Sequence, residues 1–508
     1  MDGLRFLSFY VGSFQEYEFT MNLLPTGLEY LPNELRYLRW ERFPSKSLPP
    51  SFRAEHLVEL DLRKSKLVKL WTGVKDVGNL RTIDLSDSPY LTELPDLSMA
   101  KNLVSLTLQN CPSLTEVPSS LQYLYKLEVI DLFRCYNLRS FPMLDSKVLR
   151  RLHIDRCLDM TTCPTISQNM ESLWLTETSI KELPQSVLTG RLEYLNLRGC
   201  SKMTKFPENL EDVKSLAELC LINTGIKELP LSIKDMVCLE VLDLSGTPIK
   251  ELPLSIKDMV CLEELTLDGT PIKALPELPP SLSRLSTYDC ASLETAISII
   301  NNGRLWHDQL DFTNCCKLDQ KPLVAAMHLK IQSGEEIPHG IIQMVLPGSE
   351  IPEWFGDKGI GSSVTIQLPS NCHQLKGIAF CLVFLLPLPS CGSYNVYFNC
   401  HVKSKNGEND GDDKVLYALP ETPSQLFFLE TCDSDQMILR YEDIFVNQLR
   451  KYSGNEVTFK FRRYCREGLA RIGGEIRRPL ELKSCGVYLH FDENLQADKK
   501  FKRKFCEI

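Results

Sequence analysis

The stretch IKELPLSIKDMVCLEVLDLSGTP, Ile226 to Pro248, is followed at once by IKELPLSIKDMVCLEELTLDGTP, Ile249 to Pro271, and only three positions differ between them. They are Val241 against Glu264, Asp243 against Thr266, and Ser245 against Asp268. Self-similarity at a fixed period marks a repeat architecture, so this pair sets the search along the rest of the chain. L-x-x-L-x-L segments begin at Leu35, Leu57, Leu80, Leu103, Leu127, Leu149, Met170, Leu192, Leu216, Leu239, Leu262 and Leu282, at intervals of 20 to 24 residues.

That period lies in the leucine-rich-repeat window. Period-2 alternation turns Leu242 and Leu244 inward and leaves Val241 and Asp243 outward. Stacked units then form a parallel sheet on a concave side, and at ~4.8 Å per strand twelve strands make a surface roughly 50 Å long. Three residues past each strand a small polar side chain recurs, from Ser65 and Ser88 through Cys111, Cys135, Cys157, Thr178, Cys200, Thr224, Thr247 and Thr270 to Cys290. This position predicts a hydrogen-bonded ladder and gives five cysteines a structural role, with redox sensing as the alternative. The L-T-E-L-P and I-K-E-L-P segments carry the chain across the convex side. The pattern decays through Leu282 to Ile300, as a terminal repeat should. Leu4, Leu7 and Phe9 resemble one more strand ahead of the array.

Residues 341 to 491 read differently. IIQMVL, SVTIQL, IAFCLVF, YNVYFNCHV, QMILRYED, NEVTFKF and GVYLHF are short β-branched or aromatic runs separated by turn-rich stretches, which predicts a sandwich. The expected organisation is an irregular N-terminal repeat region at 1–34, an α/β leucine-rich-repeat solenoid of about 12 repeats at 35–300, and a connecting segment with a short helix at 301–340. An all-β jelly-roll or Ig-like domain at 341–493 and a basic tail at 494–508 complete it.

At 508 residues, with 43% hydrophobic and 24% charged residues, the chain suits a folded protein of several units. A net charge of -9 gives no global reason to bind nucleic acid or an anionic membrane. The start MDGLRFLSFYVGS lacks a signal-peptide pattern, and the apolar run Ile378 to Pro389 is too short to span a bilayer. The 19 cysteines form no C-x-x-C pair, and no N-x-[ST] sequon occurs. A reducing cytoplasm, with the nucleus as alternative, is the expected location. No hydrolase elbow, H-E-x-x-H or dinucleotide fingerprint is present, so no catalytic residue, cofactor or metal is expected.

Leu31 to Ser98, LPNELRYLRWERFPSKSLPPSFRAEHLVELDLRKSKLVKLWTGVKDVGNLRTIDLSDSPYLTELPDLS, resembles the opening of the repeats in plant TIR-NB-LRR disease-resistance proteins. LDFTNCCKLDQ (Leu310 to Gln320) resembles that family's exit from the repeats. VLPGSEIPEWFGDKGIGSSVTIQLP, LKGIAFCLVF and LKSCGVYLHF resemble the jelly-roll or Ig-like C-JID domain that follows. No Gly-Lys pair occurs, so there is no phosphate loop, and the chain is expected to carry neither the TIR nor the nucleotide-binding domain. The resemblance thus implies the sensor part of such a receptor, which engages a pathogen effector directly or through a guarded host protein. It also implies receptor self-association in a full-length context. A stand-alone adaptor or decoy is the alternative.

For partner contact the outward strand positions supply Arg150, Arg151 and His153, the aromatics Trp174 and Tyr194, and the acidic late repeats with Glu218, Asp243, Glu264, Thr266 and Asp268. Charge on such a face sets orientation and association rate, while exposed aromatics are enriched among binding hot spots. Trp40 takes an inward position and reads as core. Trp354 in IPEWF reads first as packing, with partner contact as the alternative. KKFKRK (Lys499 to Lys504) is a solvated tail or an import signal. KNGENDGDD (Lys405 to Asp413) is an acidic loop with metal binding as its minor reading, and nucleic-acid contact near Phe459 to Leu480 is disfavoured.

Overall fold

The computed structural model describes residues 3–9, 28–142, 144, 148–164, 169–188, 190–302, 309–333, 337, 341–385, 394–403, 414–418, 434–443, 445–465, 477–479 and 482–491. The loop Lys405 to Asp413 and the basic tail lie outside them. The chain divides into two compact units, Met1–Glu264 and Leu265–Ile508. No described helix is long and apolar enough to cross a membrane.

In the first unit the repeats stack as short parallel strands. They are β1 (Phe6–Phe9), β2 (Tyr37–Trp40), β3 (Glu59–Asp61), β4 (Thr82–Asp84), β5 (Ser105–Thr107), β6 (Val129–Asp131), β7 (Arg151–His153), β8 (Ser172–Trp174), β9 (Tyr194–Asn196), β10 (Glu218–Cys220) and β11 (Val241–Asp243). Each pairs in parallel with the next, and the register never slips, so equivalent positions of successive repeats lie side by side. The inward leucines, among them Leu60, Leu106, Leu152, Leu195 and Leu242, are fully enclosed. A three-residue strand cannot bury such a side chain alone; its neighbours on either side do so.

Every repeat turns off the sheet through a left-handed residue. Arg42, Lys64, Asp87, Asn110, Arg134, Arg156, Glu177 and Asn223 have φ between 54° and 62°, and Gly199 and Gly246 fill the same place. The next residue is the ladder position. Cys111 Sγ donates to Leu85 O (3.4 Å), Cys135 Sγ to Leu108 O (3.2 Å), Cys157 Sγ to Leu132 O (3.4 Å) and Cys200 Sγ to Leu175 O (3.1 Å). Ser65 and Ser88 share a hydroxyl bond of 2.8 Å, and Thr247 Oγ1 reaches Leu244 O at 2.7 Å. The four thiols and Thr247 thus satisfy backbone carbonyls at the turn, while the Thr224 hydroxyl at the same position is buried without a hydrogen bond among the described residues. β1 docks Phe9 against Trp40, with ring centroids 4.2 Å apart, and Trp40 meets Phe43 edge-on at 5.2 Å. Trp40 is half-buried in this stack, between outward surface and full core.

The boundary between units falls in β12 (Glu264–Thr266). In the second unit the repeat geometry continues through β13 (Arg284–Ser286) and past residue 300 into β14 (Gln309–Asp311), where Asn314 takes the left-handed turn (φ 62°) and Cys315 Sγ reaches Thr287 O at 3.1 Å. LDFTNC keeps the strand, turn and ladder chemistry after the leading leucine of the motif has gone. A helix occupies Lys321–Gln332. β15 (Ile341–Pro347) then pairs in parallel with β14 and antiparallel with β21 (Gln436–Glu442), so the last repeat strand and the β domain share one sheet.

That sheet continues from β21 to β18 (Leu375–Phe384), β24 (Leu482–Phe491) and β16 (Asp357–Ile360), all antiparallel. A second sheet holds β17 (Ser363–Gln367), β22 (Glu456–Cys465), β19 (Tyr394–Lys403) and β20 (Lys414–Ala418), with β23 (Arg477–Pro479) on β22. Val364, Ile366, Phe380, Leu382, Ile438, Phe459 and Val487 pack between them as a sandwich core. Gly377 is required where the Tyr441 side chain of β21 crosses β18 toward β24: a Cβ there would lie 2.0 Å from Tyr441 Oη, the hydroxyl that meets His490 Nδ1 of β24 at 3.1 Å.

Candidate partner-binding face

The open face of the first unit's sheet is two rows of side chains, fixed by the register. In the middle, Arg151 aligns with Ser172 and Tyr194, while His153 aligns with Trp174 and Asn196. His153 and Trp174 stack with centroids 4.0 Å apart, and Trp174 meets Tyr194 at 5.2 Å. Asn196 Nδ2 donates to Tyr194 Oη at 3.0 Å, which fixes the phenol, and burial pushes that phenol's pKa upward. Three aromatic rings thus run diagonally across three strands and remain half-exposed.

The basic residues beside them are not equivalent. Arg150 Nη1 contacts Glu171 Oε1 at 2.6 Å, and Arg156 Nε contacts Glu177 Oε2 at 3.2 Å. Arg151 is exposed, and while its backbone N–H donates to Glu128 O at 3.2 Å, its guanidinium makes no hydrogen bond or ion pair with any described residue. Of these three arginines, Arg151 presents an uncompensated guanidinium next to the rings.

The acidic positions also separate once their partners are seen. Asp243 accepts from Ser245 N (3.0 Å) and Ser245 Oγ (2.6 Å), which closes the turn after its own strand. The same bracket recurs at Asp84 with Ser86, Asp131 with Phe133, and Asn196 with Arg198. Asp243 therefore serves the repeat before it serves a partner. Glu218 is exposed at its row, and Glu264 is half-buried. In the second unit Thr266 is half-buried, and Asp268 accepts from Ser286 Oγ (2.6 Å) and Tyr288 N (2.9 Å). The Asp-to-Thr and Ser-to-Asp changes between the two copies thus exchange one turn bracket for another.

Sequence reasoning missed two features of the face. One is this bracket, whose signal is the Asp or Asn recurring in LDL, IDL and LNL. The other is an ion-pair network on β2 and β3, where the nearly buried Asp61 (5% exposed) takes Arg63 Nε and Nη2, both at 2.9 Å, and Arg39 Nε at 3.1 Å. Trp354, in the second unit, stacks on His328 (4.5 Å, 7°) and meets Tyr488 edge-on at 5.1 Å. Its indole N–H is buried without a hydrogen bond, so its rings hold the helix Lys321–Gln332 against β24.

Residues 346–496 match the C-JID domain family and residues 56–75 match the Leucine Rich Repeat family. The chain is a leucine-rich-repeat protein with a C-JID domain, and neither matched family is a catalytic one. Among Arabidopsis thaliana proteins it is 36% identical over 389 residues to disease resistance protein RML1A, covering 73% of this chain and 34% of that one. It is 31% identical over 456 residues to disease resistance protein RPS4B (80% and 36%), and 31% identical over 490 residues to disease resistance-like protein CSA1 (87% and 40%). By these matches it is similar, over most of its own length, to Arabidopsis disease resistance proteins, and it spans only 34–40% of the length of these three relatives. A leucine-rich-repeat protein of Leptospira interrogans aligns at 20% identity and a TM-score of 0.38, covering 60% of this chain and 92% of that one.

Proposed function

We propose that the chain is the recognition module of an intracellular plant immune receptor, acting in cytoplasm or nucleus, and that it binds a pathogen effector or a guarded host protein. The open face of the repeat sheet and the C-JID domain both take part. The observation that carries this reading is the juxtaposition of Arg151 with His153, Trp174 and Tyr194. Three rings already packed on one another lose little side-chain entropy on association, Arg151 adds an unpaired cation beside them, and Trp, Tyr and Arg are the residues enriched at interface hot spots. Similarity to disease resistance proteins supports a partner of this class. In a full-length receptor, such a partner would favour the active state only by binding it more tightly than the resting state.

The test is co-precipitation of the chain with a panel of effectors and host proteins, repeated with Arg151→Ala, Trp174→Ala and Tyr194→Ala. Loss of an aromatic anchor is expected to weaken capture tenfold or more, equivalent to about 1.4 kcal/mol. Equal capture by all three variants would overturn the placement of the site.

A further inference from the structure

The duplicated stretch places a cysteine at the same position of two consecutive repeats. Cys238 and Cys261 each precede the leading leucine of their motif, and both are free and exposed. Inter-repeat hydrogen bonds fix the spacing on either side of them. Glu263 N donates to Glu240 O at 2.8 Å just after the pair, and Ser255 Oγ donates to Leu231 O at 2.7 Å before it. Parallel neighbours bonded backbone to backbone, as Glu263 is to Glu240 two residues past the cysteines, stand about 4.8 Å apart, inside the roughly 4.4–6.8 Å between Cα atoms that a disulfide spans.

At two places in the same column of the first unit, side chains of adjacent repeats meet. Lys126 Nζ donates to Asn102 Oδ1 at 2.6 Å, and His56 Nε2 lies 4.0 Å from Glu34 Oε1. Those pairs occupy, in adjacent repeats, the position that Cys238 and Cys261 occupy. Copying the repeat therefore made a pair of neighbouring surface thiols out of one.

We propose that Cys238 and Cys261 form a solvent-accessible dithiol that closes to an inter-repeat disulfide by exchange with a low-molecular-weight disulfide. One thiolate attacks the small disulfide, forming a mixed disulfide and releasing one small thiol. The neighbouring thiolate then attacks the protein sulfur of that mixed disulfide and releases the second small thiol. Both cysteines are oxidised, with two hydrogens lost, and one disulfide is reduced to two thiols. The second step is intramolecular and rapid because the partner sulfur is held in place.

The reduced full chain, titrated with oxidised glutathione and digested with trypsin without reduction, gives the test. Cleavage after Lys234, Lys250, Lys257 and Lys273 puts the two cysteines on separate peptides, and the three differences between the copies make them distinguishable by mass. The expected product is one cross-linked pair joining those peptides, without retained glutathione. Cys238→Ser should leave a stable glutathione adduct on Cys261, and Cys261→Ser one on Cys238. Glutathione retained on both cysteines of the wild-type chain, a bridge from either to a third cysteine, or no reaction at either would each overturn the proposal.

Discussion

Burial decides what each cysteine of this chain can do. Desolvation pushes the ladder thiols Cys111 and Cys157 up to about 12, and Cys135 further still. Since only the thiolate reacts, a thiol at about 12 is ionised in roughly one molecule in ten thousand at pH 8. A thiol reagent added to the native chain at that pH should therefore label Cys238, Cys261 and Cys316, which are exposed, and reach Cys111, Cys135 and Cys157 only after denaturant; peptide mapping reads the difference. The ladder was legible in the sequence because a small polar residue recurs at one place in every repeat. The left-handed residue before it was not, since Arg, Lys, Asp, Glu and Asn hold that place as well as Gly, and only glycine advertises a positive φ. Substitution makes the hidden requirement visible. Gly246 has φ 66°, and a Cβ there would lie 2.0 Å from Asn223 Oδ1, whereas Gly269, at φ 67°, has open space around it. Gly246→Ala should lower stability by about 1–2 kcal/mol, from backbone cost plus displacement of Asn223, and Gly269→Ala by the backbone cost alone, about 1 kcal/mol. Urea denaturation of the two variants measures the gap.

The strand β21 shows how far an element's environment outruns its own residues. QMILRYE carries three charged or amide side chains, yet it is buried along its whole length because β15 and β18 flank it on both edges. Arg440 Nε donates to Glu442 Oε2 at 2.9 Å and Nη1 donates to Gln343 Oε1 at 3.0 Å, while Gln436 Oε1 accepts from Asn314 N at 3.3 Å. Removing one member of a buried pair strands the other charge, at about 3–5 kcal/mol, whereas replacing both with apolar residues is close to neutral. Arg440→Met should accordingly be strongly destabilising, and Arg440→Met with Glu442→Leu should recover most of the loss in thermal or urea unfolding; equal damage from single and double variants would show that the pair does not act as a unit. Element type was legible here and in the repeats, because period-2 alternation and β-branched runs are local signals. Which strand would be central was not. The pairing of β15 with β14 on one edge and β21 on the other joins residues far apart in the chain, and no local pattern records it. The open face was legible in the same partial way: alternation pointed Trp174 and Tyr194 outward, but the pairing of Arg150 and Arg156 with Glu171 and Glu177 depends on what the neighbouring repeat offers.

Across the whole molecule, the response to acid separates carboxyls that sequence alone treats alike. Asp155, which accepts from Thr176 N at 2.8 Å, and Asp311, which accepts from Thr313 N and Oγ1 at 2.9 and 2.6 Å, are both raised by burial. Asp96 is lowered, first by the Ser98 hydroxyl and then by the Ser98 N–H, which donates at 2.7 Å. In the unfolded chain all three titrate near about 3.9. A raised native value means that the folded state binds the proton first, so these two carboxylates penalise folding at neutral pH and the penalty is relieved as pH falls through their native values. The lowered value at Asp96 has the opposite sign: its contribution is fully present above about 3.9 and is lost as pH falls below that toward the native value. Asparagine keeps the accepting oxygen and removes the charge. Asp155→Asn should therefore gain most over the wild type at pH 7, with the advantage fading before pH reaches about 3.9, while Asp96→Asn should show a deficit at pH 7 that closes only below about 3.9. Urea midpoints of the wild type and both variants, taken in steps from neutral pH downward, give the three curves. If the Asp155→Asn and wild-type curves run parallel throughout, the Asp155 carboxylate is as well stabilised in the fold as in water, and the Thr176 bond offsets the whole of its burial.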